Sequence, residues 1–341
     1  MTYAPTFFRH FTLTMATAAL LAGFAATASA KELKPMTVVL SYIPNVENFG
    51  ALYAKANGYF EEAGLDVTLV PGGQGIDQIQ MVSAGVAQLA MTEASTVIAA
   101  VDKGEDLKVI AAEFQKSPTA MTCRADSGIT KPSMLTGKRL GVKQSAQVYA
   151  TTFLAKNGVD IKKVNVTTIG NSDIATIIAG KVDCILTTFA FNEPRLIEQA
   201  GVPVTVLPVA DWGFSAQSGV WVVKADFLKD ADNQKMLTAY LGAEAKAWKV
   251  FFKDPKAAAK FVVDGKFNDG LDLGQQSYQA VEQAKYMTSK LTAEKGIFWV
   301  DAKTWGETTQ NALDAGATSK LIDPSKIITS EILEKADVPK L

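Results

Sequence analysis

Two stretches of this chain align without a gap: IDQIQMVSAGVAQLAMTEAS at residues 76–95 and NSDIATIIAGKVDCILTTFA at residues 171–190. The spacing of 95 sets Ala84 and Gly85 on Ala179 and Gly180, and Thr92 on Thr187. Each copy reads as a short helix with an acidic or Ser start, a Gly stop, a brief apolar strand and a polar exit. A looser echo lies upstream, where GALYAKANGYFEEAGLDVTLV is answered by ATTFLAKNGVDIKKVNVTTI. Short α/β units share patterning, so coincidence is the alternative. Duplication instead requires two similar lobes, and two such lobes facing each other enclose a cleft.

The order of elements agrees with an α/β chain. Strand-like runs at Met36–Leu40, Val67–Val70 and Leu89–Met91 alternate with helical runs at Gly50–Ala63 and Asp77–Ala84. Leu52, Tyr53, Ala56, Tyr59 and Phe60 supply helical spacing, with Asn57-Gly58 as an internal breaker and Gly64 as the stop. A new strand is expected at Lys138–Val142, and from Ala225 onward helical spacing takes over, as in Leu237, Tyr240, Leu241, Ala245, Trp248 and Phe252. That tail is expected to return to the first lobe. The expected division is residues 1–30 as an export signal, 31–122 with 223–341 as lobe 1, and 123–222 as lobe 2. Crossings near 122–126 and 217–223 would form a two-connection hinge.

The export signal is read from Arg9, the apolar run Phe11–Ala26 and the small-x-small pattern Ala28-Ser29-Ala30, with cleavage after Ala30. The run falls at or below the roughly 18 to 20 residues a spanning helix needs. No Cys follows it for lipid attachment. The mature chain of 311 residues is long enough for two units. It carries 33 basic and 35 acidic side chains, with only Arg124, Arg139 and Arg195 as arginines, which argues against nucleic acid as partner. His10 is the only histidine and leaves with the signal, so His-dependent nucleophiles, bases and metal sites are excluded from the mature chain. Cys123 and Cys184 either pair in an oxidising compartment or stay as buried thiols.

Several stretches carry a family resemblance: YIPNVENFGALYAKANGYFEEAGLDVTLVPGG, GVAQLAMTEAS, QKSPTAMTCRADSGITKPSMLTGKRLGV, FNEP at 191–194 and GIFWVDAKTW near the end. With them the chain resembles type II periplasmic solute-binding proteins of ABC importers. Within these it resembles the group that binds thiamine pyrimidine precursors, riboflavin, alkanesulfonates and nitrate, together with the fungal thiamine-pyrimidine synthases. The resemblance implies a two-lobed α/β fold, each lobe a mixed, mostly parallel sheet flanked by helices, closing on a small-molecule ligand. It further implies a periplasmic monomer that delivers its solute to a permease in the inner membrane.

Candidate contacts cluster where strands end and helices begin, the usual ligand position in α/β sheets. Tyr42 offers a stacking face, and Asn45 and Asn48 offer amide groups or, alternatively, helix caps. Thr92 and Glu93 follow a strand, with Glu93 as an acceptor for amino or ring N–H groups or as a residue favouring the helix dipole. Gln144 and Tyr149 open a helix in the second lobe, with Tyr149 as core packing in the alternative reading. Thr187-Thr188-Phe189 is the second lobe's counterpart of the stretch that begins at Thr92, with Thr188 and Phe189 as its candidate contacts. Asn192 and Glu193 sit in FNEP, a motif the resemblance places in the cleft of pyrimidine-type members, and an acid there can fix a heterocycle's amino group. Trp212 is a stacking face or core packing.

The acidic and aromatic set with few arginines favours a flat, hydrogen-bond-donating ring such as an aminopyrimidine. Riboflavin, an alkanesulfonate such as taurine, and nitrate are the alternatives. An enzyme like the pyrimidine synthases is less favoured, since that chemistry draws on a histidine and a cysteine-rich iron motif. No catalytic residue, cofactor or metal is expected.

Overall fold

The computed structural model describes residues 32–73, 75–143, 146–170, 174–314 and 316–340, with Leu33–Leu341 forming one unit. The expected signal segment and Gln144 lie outside the described residues.

Among the described residues, ten strands build two sheets. They are β1 (Lys34–Val39), β2 (Leu65–Val70), β3 (Leu89–Thr92), β4 (Leu107–Phe114), β5 (Thr119–Arg124), β6 (Arg139–Lys143), β7 (Asn165–Ile169), β8 (Cys184–Phe189), β9 (Val204–Pro208) and β10 (Ser218–Lys224). The first sheet has the order β2-β1-β3-β10-β4 and the second β7-β6-β8-β5-β9. In each, the first three strands run parallel and the fourth runs antiparallel to its neighbours. The strands of the internal repeat, β3 and β8, hold the same third place in their sheets. Both repeat glycines take the left-handed backbone that ends the preceding helix, Gly85 at φ 73° and Gly180 at φ 67°. The repeat therefore corresponds to a shared topology.

Each fourth strand comes straight off a crossing. The strand Thr119–Arg124 pairs in the second sheet and Ser218–Lys224 in the first, so the chain changes sheet at 115–118 and 209–217. Those crossings fall ahead of the expected ones at 122–126 and 217–223. The reason is physical: β5 and β10 are short buried strands in the middle of a sheet, and such a strand carries no mark of which sheet it joins.

The expected helix at 50–63 is two pieces, Phe49–Ala56 and Tyr59–Glu62, separated at Gly58 with φ 74°. Gly50 is required by packing, because a Cβ there would lie 2.1 Å from the Trp248 indole nitrogen. Trp248 belongs to the long helix Ala231–Lys253, which buries Leu237, Tyr240, Leu241, Ala245 and Trp248 on the first sheet's side. The helical tail does return to the first lobe. The second lobe has its own core around Phe153, Leu140 and Val142, with a smaller cluster of Ile169, Ile177, Val182, Ile185 and Ile197. Cys123 and Cys184 are register partners on β5 and β8, fully buried, and their sulfurs are joined. Among the described residues no helix is long and apolar enough to cross a membrane.

Candidate functional site

A cavity of about 590 Å³ opens between the two sheets. The first lobe contributes Glu93, Ser95 and Thr96 at the start of helix Ala94–Asp102, with Lys103 at its end. Lys143 and Tyr149 come from the second lobe's β6 and helix Gln147–Lys156, and Thr187 and Phe189 from the end of β8. Ser117 and Phe214 through Gln217 come from the crossings, and Thr308 and Asn311 from helix Ala302–Asp314. Strand ends and a helix start thus meet on one void, as the chain's α/β pattern requires.

Glu93 is the acid that lines the cavity, partly buried at the start of the helix. Its Oε2 accepts a hydrogen bond from the Ser218 hydroxyl at 2.8 Å. Burial pushes its carboxyl up from the usual range, with Ser218 opposing the shift. Tyr149 packs edge-on to Phe214, ring centroids 5.2 Å apart, and its hydroxyl is pushed up by burial and then by the Glu93 charge. Phe189 packs edge-on to Phe191 at 5.6 Å. The wall therefore combines aromatic faces with one carboxyl.

Behind this wall stands Glu47, on the turn after β1. Burial raises its carboxyl to about 7, the Ser41 hydroxyl at 2.9 Å opposes the shift, and the Glu93 and Glu193 charges add to it. Glu193 opens helix Glu193–Gln199, and its Oε2 accepts the Phe189 backbone N–H at 2.7 Å. That bond ties FNEP to the strand end bearing Phe189. Phe191 of the same motif is buried against Phe114 and Tyr286 of the first lobe, and Asn192 Oδ1 accepts from Gln275 Nε2 at 3.0 Å. FNEP thus joins the two lobes.

Of the expected contacts, Glu93, Tyr149 and Phe189 line the cavity. Others are occupied differently. Asn45 is a cap, its side chain accepting from the Glu47 N–H at 2.8 Å. Asn48 donates to Ser41 at 3.0 Å, and its Oδ1 is buried without a protein partner. Tyr42 stands half exposed on the turn, and Thr92 is a buried strand residue paired with Val220. Thr188, expected at the cleft, is fully buried in the sheet with its hydroxyl 2.6 Å from that of Thr122 and 3.1 Å from the Ala120 carbonyl. Its neighbour Thr187 faces the cavity because a bulge interrupts the alternation there. Trp212 packs against the second lobe's core, and the aromatic ring at the cavity is Phe214, two residues on. Phe214 and Lys143 also line the cavity and were not among the expected contacts, and Thr187, which the repeat sets on Thr92, takes the place expected of Thr188. The bulge that exchanges Thr187 for Thr188 leaves no periodic signal in the sequence.

Two pseudo-symmetric α/β lobes, two crossings and a cavity between the sheets make this the fold of the type II periplasmic binding proteins. The chain belongs to the NMT1/THI5-like family, whose profile matches residues 45–258. It is similar to the riboflavin-binding protein RibY of Chloroflexus aurantiacus, 26% identical over 88% of this chain and 86% of the relative. A formylaminopyrimidine-binding protein of Halalkalibacterium halodurans is 25% identical over 82% of this chain and 86% of its own length. Among solved structures, the alkanesulfonate-binding protein SsuA of Xanthomonas axonopodis pv. citri bound to MOPS superimposes with TM-score 0.66 at 13% identity, covering 87% of this chain and 99% of its own.

Proposed function

We propose that this chain is the exported solute-binding subunit of an ABC importer. It captures a small heteroaromatic solute between its lobes, with a thiamine pyrimidine precursor as the leading candidate, and delivers it to an inner-membrane permease. The observation that carries this reading is the pairing in one cavity of a part-buried carboxyl, Glu93, with the rings of Tyr149, Phe189 and Phe214. A flat ring can stack on those faces while an amino or ring N–H donates to Glu93. A void of about 590 Å³ suits such a solute. The riboflavin-binding and formylaminopyrimidine-binding relatives support the same class of ligand. Glu193 enters as a further contact or as the residue that orients Phe189, and Tyr42, Asn48 and Asn192 as groups at the margins of the cleft. The near balance of charge fits a small-molecule partner and a monomer.

A second reading rests on Lys103 and Lys143, which line the same cavity and suit an alkanesulfonate, taurine or nitrate. A synthase-like activity is disfavoured by the lack of any histidine after residue 10.

The test is a thermal-shift panel on residues 31–341 with formylaminopyrimidine, riboflavin, taurine and nitrate, run on the wild type and Glu93→Gln. At 100 times its dissociation constant a ligand stabilises the fold by about 2.7 kcal/mol. A shift with a ring compound that Glu93→Gln reduces supports the reading. A shift with taurine or nitrate alone replaces it with the second one.

A further inference from the structure

Helix Ala94–Asp102 lines the cavity along its whole length, from Glu93 ahead of its first turn to Lys103 past its last, about 13 Å. Helix Ala302–Asp314 lies beside it. The Thr308 hydroxyl of that helix reaches the Ser215 carbonyl at 3.4 Å, close in sequence to the Ser218 that bonds Glu93. Beyond its other end, Ser319 bonds both carboxyl oxygens of Asp102 at 2.9 Å. Asn311 stands between these two ties and so meets the void away from Glu93. From the second lobe, helix Gln147–Lys156 carries Tyr149 at the cavity and Lys156 about 10 Å of rise further on. A single flat ring covers only part of such a void.

Asn311 presents that void with an amide whose two ends are in different states. The residue is 8% exposed and lines the cavity. Its Oδ1 accepts from Lys156 Nζ at 2.6 Å, a bond that crosses between the lobes. An ammonium only donates, so this bond fixes which way round the amide sits. The Nδ2 donor is left over. Among the described residues it has no acceptor, and it is not one of the unpaired atoms closed off in the core, as Asn48 Oδ1 is. Lys156 is itself held in place. Its stem lies across Gly213, where a Cβ would stand 3.1 Å from Lys156 Cε, and its Nζ is 5.4 Å from the centre of the Phe214 ring. An unpaired donor oriented by a charged neighbour at the edge of a void is completed by an acceptor that arrives with the solute.

We propose that Asn311 forms a second subsite of the cleft, its Nδ2 donating to an acceptor on an arm of the solute, with Lys156 as its positioning residue. Resting on the heteroaromatic reading above, this makes the preferred solute a ring that bears a polar arm, as in a formylaminopyrimidine or riboflavin, and not a bare ring. The ring lies by Tyr149 and Phe214 with an N–H group on Glu93, and a carbonyl or hydroxyl oxygen of the arm meets Asn311. A solute without the arm leaves the Nδ2 donor unpaired, which is the basis of the discrimination. Lys156 and Asn311 belong to different lobes, so the amide is oriented only when the lobes come together, and recognition of the arm is tied to closure.

The test is calorimetric titration of the mature protein, residues 31–341, with formylaminopyrimidine and with the parent aminopyrimidine that lacks the formylamino arm. Asn311→Asp keeps the oxygen that Lys156 bonds and exchanges the donor for an acceptor. Its Kd for formylaminopyrimidine should rise about 10- to 100-fold, and its Kd for the bare ring by less than about 3-fold. Lys156→Met keeps the stem over Gly213 and removes the ammonium, and should raise Kd for formylaminopyrimidine about 3- to 10-fold with the bare ring unaffected. A merely structural role would move both compounds alike, so equal losses overturn the proposal. An unchanged Kd for formylaminopyrimidine in either variant overturns it as well. If riboflavin is the ring that binds, lumichrome, which lacks the ribityl arm, serves as the bare ring and the same outcomes apply. If no ring compound binds the wild type, the heteroaromatic reading fails before any variant is compared, and this proposal falls with it.

Discussion

Replacing Glu244 by Gln should flatten the protein's loss of stability between pH 5 and pH 7. Glu244 lies on the buried stripe of helix Ala231–Lys253, one turn after Tyr240 and one turn before Trp248, and is 1% exposed. From β4 it is faced by Glu113, also 1% exposed, whose two carboxyl oxygens have no protein partner, and the Tyr240 hydroxyl has none either. Burial pushes the Glu244 carboxyl from its ordinary 4.5 to about 8, with the Trp248 indole opposing the shift. Glu113 is pushed well above the carboxylate range by burial, then by Glu244 and Glu47.

For such a raised acid the unfolded chain releases its proton at lower pH than the folded one. Stability is therefore greatest below the unfolded value and is lost as pH rises from 4.5 towards about 8. The whole gap corresponds to about 5 kcal/mol, of which about 3 kcal/mol is already lost at pH 7 and about 1 kcal/mol at pH 5. Gln cannot ionise, so the difference in unfolding free energy between Glu244→Gln and wild type should move by about 2 kcal/mol in favour of the variant from pH 5 to pH 7. Urea unfolding followed by tryptophan fluorescence at pH 5, 6 and 7 measures it. Any packing cost of the amide is common to all three conditions and drops out. Curves that stay parallel across this range would refute the argument, because they would mean Glu244 is ionised or solvated in the folded state.

Two further perturbations test the frame around the cleft. The Cys123–Cys184 bridge closes a loop of 61 residues, so Cys123→Ser with Cys184→Ser should lower unfolding free energy by about 4 kcal/mol in the chain-entropy account; equal stability of the wild type with and without reductant would contradict it. Gly50→Ala sets a methyl on the Trp248 indole and should cost about 1–3 kcal/mol in urea unfolding, with an unchanged midpoint as the contrary result.

Much of the frame was legible because it follows from local chemistry. The glycine at 85 and its copy at 180 end short helices, Asp77 caps the first of them with a 2.9 Å bond to the Gln80 N–H, and Gly58 breaks the helix where Asn57-Gly58 stood out. Glu93, Tyr149 and Phe189 were found at the cavity for the same reason, since each follows a strand or opens a helix. What stayed hidden depends on partners distant in sequence. Thr188 and Thr187 are the same residue type side by side, and only pairing with β5 decides which faces the void. Asn45 and Asn48 suit capping and ligand binding equally as residue types, and the Glu47 N–H and the Ser41 hydroxyl settle where their bonds go. Trp212 drew attention by its size, yet the left-handed turn at Gly213, φ 85°, hands the cavity to Phe214.

The covalent link between β5 and β8 has a mechanical consequence. One of these strands starts at the first crossing and the other ends at Phe189, so the bond braces the second lobe between its attachment and the wall it presents. A braced leaf does not bend as it swings. A rotation of this lobe would then fall on residues 115–118 and 209–217, and would carry Thr187 and Phe189 together at the end of the braced strand. Whatever adjustment a solute demands is left to the opposite wall.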